Sequence, residues 1–199
     1  MAVGVGIIGV GKHGERYLRH VADVPGLRLV ALCRRDRARG EAQARASGCR
    51  FYDRGEALIA DADVDAVVLV VPPTLTVRFA TAAAAASKAL LIEKPLAPTL
   101  AECGRIAEAV ARARVTAMVG HTLRFNAVVA ALRAALPTIG ALHAAVLTQR
   151  FEPSSLAWLD RRAEAGGGII LHTGVHSFDL LRHLTGDEAR RVSAQATRV

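Results

Sequence analysis

Lysine is nearly absent from this chain: Lys12, Lys88 and Lys94 are the only three among 26 basic side chains. Aromatic residues make up only 4% of the 199 residues, so the interleaved rings and basic stripe of a nucleic-acid surface are missing. The formal charge of +8 comes from arginines scattered over helical stretches. That is a chain-wide arginine preference, and it argues against a nucleic-acid partner. Cysteine is sparse too. Cys33, Cys49 and Cys103 are odd in number and lack CxxC spacing, which excludes a disulfide framework and suits free thiols in a reducing compartment. No uncharged apolar run reaches the roughly 18 residues a membrane span needs, and the apolar opening lacks the basic start of a signal peptide. These absences lead to the expectation of a cytoplasmic protein with no membrane partner. Hydrophobic residues, at 52%, are sufficient for a packed core.

Residues 7–14 read IIGVGKHG, the end of an apolar run followed by Gly9-x-Gly11-x-x-Gly14. Such a turn between a first strand and a first helix suits a pyrophosphate. The first glycine makes the turn, the second admits the phosphates, and the third lets helix and strand pack closely. By itself the pattern also fits a plain structural turn. Here it opens an amphipathic segment with Tyr17, Leu18 and Val21, as a dinucleotide-binding turn should.

Strands are expected at 3–9, 27–33, 51–52, 64–71, 90–92 and 115–119, and helices at 12–22, 36–47, 54–60, 75–87 and 99–113. The run VDAVVLVV from residue 64 is rich in β-branched valine, as a strand buried on both faces should be, and Pro72-Pro73 stops it. Repeated βα units of this length imply a doubly wound parallel α/β sheet, whose ligands lie beyond the carboxyl ends of the strands. Gly9–Gly14, Cys33–Asp36, Val71–Thr74, Glu93-Lys94-Pro95 and Gly120-His121 all fall at those ends. After residue 120 the rhythm changes. A helix at 126–136, a strand at 141–150, a loop with Pro153 and Trp158, and a helix running to about 185 are expected. Val192–Val199 has the look of another strand.

The end of the second strand bears on the cofactor. About twenty residues after the glycine turn, an acidic residue would accept from the NAD ribose, whereas arginine would hold the 2′-phosphate of NADP. Arg34-Arg35 occupy that place, which favours NADP and leaves NAD possible. Asp36 beside them suits the N-cap of the next helix.

Gly166-Gly167-Gly168 precedes a stripe in which His172, His176, Asp179 and His183 share about a 60° arc of one helix face. Val175, Phe178, Leu171 and Leu181 lie opposite. A zinc site on His172 and His176 is conceivable, but no HExxH and no acidic third ligand accompany them, so no metal is expected.

Taken in order, GVGKHG, VVPP, EKP, GHTLRFN at 120–126 and GGGIILHTGVHSFD at 166–179 resemble the Gfo/Idh/MocA oxidoreductase family. The resemblance covers nearly the whole chain. It implies an NAD(P)-binding Rossmann domain over 1–120, then the start of an α/β (α+β) substrate and oligomerisation domain over 121–199. It also implies hydride exchange between a nicotinamide cofactor and a sugar or polyol, with a homo-oligomer when the protein is full length. The cofactor would be held by Gly9, Val10, Gly11, Lys12, His13, Gly14, Arg34, Arg35, Pro72 and Glu93. Lys94 would touch substrate and nicotinamide, His176 would be the acid/base, and Arg124 would join Lys94, His172 and His176 around the substrate. His172 stands where the family usually carries aspartate, so its task of orienting His176 would fall to a second imidazole. Asp179 would brace the helix. Family members are longer, so a fragment or truncated gene product is expected, and a non-catalytic NADP-binding remnant is the alternative.

Overall fold

The computed structural model describes residues 2–150, Leu159 and 161–195. β1 (Val3–Ile8), β2 (Leu27–Cys33), β3 (Arg50–Tyr52), β4 (Ala66–Leu69), β5 (Ala89–Ile92) and β6 (Ala117–Val119) form one sheet in the order β3-β2-β1-β4-β5-β6. All its pairings are parallel, so the chain must cross over between strands. The crossovers carry α1 (Gly14–Asp23), α2 (Arg37–Ser47), α3 (Gly55–Ile59), α4 (Pro73–Ala85) and α5 (Leu100–Ala113). This is the expected doubly wound fold, with its topological switch between β1 and β4.

Strand side chains alternate between two apolar layers. Val5, Ile7 and Val68 pack with Val21 of α1 and Ala44 of α2 on one face. Ile8, Val67 and Leu69 pack with Val77, Ala80 and Ala84 of α4 and Ile106 of α5 on the other. Local chemistry sets the helix starts. Asp36 caps α2 by accepting from the Arg39 amide at 3.1 Å, as the sequence suggests. Thr99 and Glu102 form a reciprocal capping box on α5. Pro73 sits in the first turn of α4, where its missing N–H leaves no bond unmade.

Beyond β6 come a 3-10 turn at Thr122–Phe125 and α6 (Ala127–Ala135), the latter capped by Asn126. Residues 141–150 are not the expected strand. They lie exposed and irregular, and among the described residues no strand lies beside them to complete a ladder. Pro153 and Trp158 lie outside the described residues. α7 (Arg162–Ala165) leads to one π-helical turn at Ile170–Gly174, which runs directly into α8 (Val175–Thr185). Gly186, at φ +74°, closes α8 in the left-handed region. Of the strand expected at 192–199, residues 192–195 are irregular and the rest lie outside the described residues. No helix among the described residues is long and apolar enough to cross a membrane.

The 3-10 turn, α6 and α8 pack against one another, yet Phe125, Val128, Leu132, Phe178 and Leu181 on them are exposed. Neighbouring apolar side chains in water favour association. The 199-residue chain is therefore expected to self-associate with rising concentration in sedimentation experiments. A monodisperse monomer at high concentration would contradict this.

Candidate functional site

The glycine turn leaves room where a diphosphate would lie and nowhere else. Gly9 has φ +100°, and a Cβ there would strike the Val70 carbonyl oxygen; one on Gly14 would strike the Gly9 carbonyl oxygen. A Cβ on Gly11 would meet nothing within 4 Å. The space over Gly11 lies at the start of α1, whose N-cap residue, His13, makes no capping bond. By contrast, α2, α5 and α6 are each capped by a side chain. Within the first turn of α1 the Glu15 and Arg16 amides already donate to the Gly11 and His13 carbonyls, so what the start of this helix offers an anion is chiefly its positive dipole end.

The two arginines after β2 behave differently. Arg34 turns back under the glycine turn, donating to the Val10 carbonyl at 2.6 Å and to Gln43 Oε1 at 2.9 Å. Its Nη1 also lies 3.8 Å from Glu15 Oε1. Arg35 is exposed and forms no hydrogen bond or ion pair among the described residues. Its charge acts on the Glu164 carboxylate without a direct contact, so of the pair it is the one whose guanidinium makes no hydrogen bond among the described residues.

Glu93, at the end of β5, reaches across to α1. Its Oε1 accepts from the Tyr17 hydroxyl at 2.5 Å and pairs with His13 Nε2 at 2.8 Å, while Oε2 accepts from the Lys94 amide at 3.0 Å. Burial, then the Glu93 carboxylate, push the Tyr17 hydroxyl's pKa upward, so it stays a donor. Pro72 forms the N-cap of α4, and Lys12 is exposed beside the turn.

Lys94 connects this strand end to the helical segment of the second half. Its Nζ donates to the His172 carbonyl oxygen at 3.1 Å. Burial lowers the ammonium's pKa, and Glu93 partly offsets that. His176 follows one turn later, half-buried, with its own pKa lowered first by burial and then by the charge of Lys94. An imidazole in that setting is neutral near pH 7 and ready to accept a proton.

The π-helical turn changes the phase of the expected stripe, because it winds more residues per turn than an α-helix. The His172 ring turns its Nε2 to the Ala165 carbonyl oxygen, 2.9 Å away. Asp179 is buried and receives a bidentate grip from Arg124, with Nη2–Oδ1 at 2.6 Å and Nε–Oδ2 at 2.9 Å. Burial works to raise the Asp179 pKa, but the Arg124 hydrogen bonds and nearby cations hold it below the usual range. Arg124 is thus spent on bracing α8, in addition to any contact with substrate. The side chain facing the His176 ring is His121, edge to face at 6.5 Å between centroids. The sequence places His121 at a strand end but attaches no role to it. The only signal for one is its position directly after Gly120 in the GHTLRFN stretch.

A cavity of about 380 Å³ adjoins His176, lined also by Thr122, Leu123, Thr148, Gln149 and Arg150. Among the described residues no three His, Cys, Asp or Glu side chains are grouped to hold a metal ion.

The profile of the Gfo/Idh/MocA oxidoreductase family, NAD-binding Rossmann fold, matches residues 3–121. The chain belongs to this family. The family's C-terminal domain profile matches residues 127–199. Two curated relatives are an inositol 2-dehydrogenase of Saccharopolyspora erythraea, 35% identical over 202 residues, and one of Acidothermus cellulolyticus, 37% identical over 204. These alignments cover 100% and 99% of this chain, and 59% and 58% of the relatives. The chain therefore spans less than two thirds of their length. The crystal structure of an oxidoreductase domain protein from Kribbella flavida superposes with a TM-score of 0.80 at 30% identity, covering 94% of this chain and 53% of that one.

Burial lowers the pKa values of His121, His172 and His176 from the ordinary 6.5. The unfolded chain then binds more protons than the folded one just below pH 6.5, so stability falls as pH drops through that value. Above it these three groups contribute no slope. Asp179, lowered in the folded state, adds stability that is lost only in stronger acid, below its ordinary 3.8. The thermal unfolding midpoint is expected to decline between about pH 7 and about pH 5. A midpoint constant over that interval would contradict the placement of the imidazoles.

Proposed function

We propose that this chain carries the cofactor and catalytic half of an NADP-preferring oxidoreductase that moves hydride between a nicotinamide and a carbinol carbon of a sugar or polyol. The observation that carries the reading is the convergence of Lys94 and His176 beside the open glycine turn, at the carboxyl ends of the strands. The nicotinamide supplies the hydride chemistry when bound. Gly11 leaves space for the diphosphate, and the uncapped start of α1 faces it. Arg35 is free to meet a 2′-phosphate, whereas Arg34 supports the turn through the Val10 carbonyl. His176, neutral near pH 7, takes the proton from the substrate hydroxyl. The Lys94 ammonium stabilises the negative charge that grows on that oxygen. Similarity to inositol 2-dehydrogenases favours a cyclic polyol, and the cavity beside His176 offers the Thr122 and Thr148 hydroxyls, the Gln149 amide and the Arg150 guanidinium for its hydroxyls.

Cofactor binding tests the first half of this reading. Gly11→Val is expected to abolish NADPH binding by titration without lowering the unfolding midpoint, because its side chain clashes only with ligand. Arg35→Ala removes one charge-assisted contact worth about 1.5–3 kcal/mol, so NADPH affinity should drop about tenfold or more while NADH affinity holds. Equal losses for both cofactors would remove the case for NADP.

Turnover tests the second half, with myo-inositol and a panel of sugars screened against NADP reduction. His176→Ala is expected to slow turnover by about 10²–10⁴, and Lys94→Ala by about 10²–10³, with NADPH affinity nearly intact. A His176→Ala protein at the wild-type rate would sink the assignment. NADPH binding with no turnover of any substrate would support the cofactor-binding remnant instead.

A further inference from the structure

A general base on a half-buried helix needs something to hold its ring and tautomer, usually a partner on the nitrogen turned away from substrate. The described residues narrow the choice. His172, one turn earlier, has its ring on the Ala165 carbonyl. Asp179, three residues on, is held by Arg124. Lys94 gives its hydrogen bond to the His172 backbone. His121 remains, set against the His176 ring at an interplanar angle of 88°. Its Nδ1 lies 3.7 Å from Asp179 Oδ2, too long for a hydrogen bond but close enough for the carboxylate to favour a charge on it. The Nδ1 atoms of both His121 and His176 are buried with no hydrogen-bond partner. Such atoms are costly to leave unsatisfied, so with no hydrogen bond among the described residues to hold either ring, each responds to the charge state of the other.

We propose that His121 is a positioning residue for His176, fixing its ring edge to face and competing with it for a single proton in the field of Asp179. This rests on the assignment of His176 as the base. The charged and titratable groups around the pair come from every packed element. Lys94 and Glu93 lie at the end of β5, Arg124 in the 3-10 turn, and Asp179 on α8. Asp179 and Glu93 favour a proton on the pair; Lys94 opposes it at both rings, and Arg124 opposes it at His121. Two like charges 6.5 Å apart in a half-buried site repel, so the second proton enters harder than the first. Asp179 is nearer to His121, so the first proton settles there and leaves His176 neutral for the substrate hydroxyl.

The test is an imidazole NMR titration of the full chain labelled in histidine, without cofactor or substrate. In the wild type, His121 and His176 are expected to titrate as a coupled pair, each resonance showing an inflection at its partner's midpoint. His121→Phe keeps a ring against His176 but carries no proton. It should turn the His176 curve into a single step whose midpoint lies higher by about half a pH unit or more. If His121→Phe does not fold, His121→Asn gives the same comparison with a smaller side chain. Asp179→Asn provides the converse and should lower the midpoint of His121. A His176 curve unchanged by loss of the His121 ring overturns the proposal, because a merely structural contact would not move it. The two readings fail separately. A coupled titration together with full turnover by His176→Ala would discard the base and keep the pair, whereas uncoupled curves with a slow His176→Ala would do the reverse.

Discussion

The Glu93 carboxylate is what makes the two strand ends into one site. β1 and β5 are not neighbours in the sheet; β4 lies between them, so the backbone ladder alone does not set the distance from the glycine turn to Lys94. Glu93 closes that gap. It accepts from Tyr17 and pairs with His13 on the α1 side, and it takes the Lys94 amide on its own. Arg34 does the corresponding work on the opposite flank, tying the Val10 carbonyl to the end of β2. Held from both sides, the turn can leave Gly11 open without collapsing into the space over it. A turn held open in this way costs little rearrangement when a ligand arrives.

The helical segment at 170–185 is attached by polar contacts of long sequence separation. Lys94 grips the His172 carbonyl, and Arg124 grips Asp179. Asp179 is 7% exposed and the Arg124 side chain 42% exposed, so water screens one side of the pair. Losing Arg124 would leave a buried carboxylate short of donors, a cost on the order of 1–3 kcal/mol. Both bonds fasten α8 close to His176, so the same contacts that secure the helix also set where its imidazole stands.

Most of the first 120 residues was legible because its signals are local. A β-branched run, a proline stop, an N-cap aspartate and three spaced glycines each act within a few residues, and the structure uses them as read. What stayed hidden depends on chain segments meeting in space. The run at 141–150 has a strand's composition, but composition does not supply a neighbouring strand. Arg34 and Arg35 are alike in sequence, and only the approach of the Val10 carbonyl separates a brace from a free cation. His121 and His176 are 55 positions apart, so no periodicity could pair them. The stripe at 172–183 was read with a constant 100° step, which the π-helical turn interrupts.

That turn makes the alignment of α8 depend on chain length at one place. Ile170–Gly174 opens the helix that continues as α8, and it is wound wider than an α-turn. Removing one residue there would shift everything after it relative to the His172 carbonyl that Lys94 holds. His176 and Asp179 would swing away from Lys94 and Arg124 together, although every side chain of the site would still be present. Length changes in the irregular stretch at 186–195, beyond Gly186, would move neither. Among natural variants of this chain, insertions and deletions should therefore spare the π-helical turn even where its residues are exchanged.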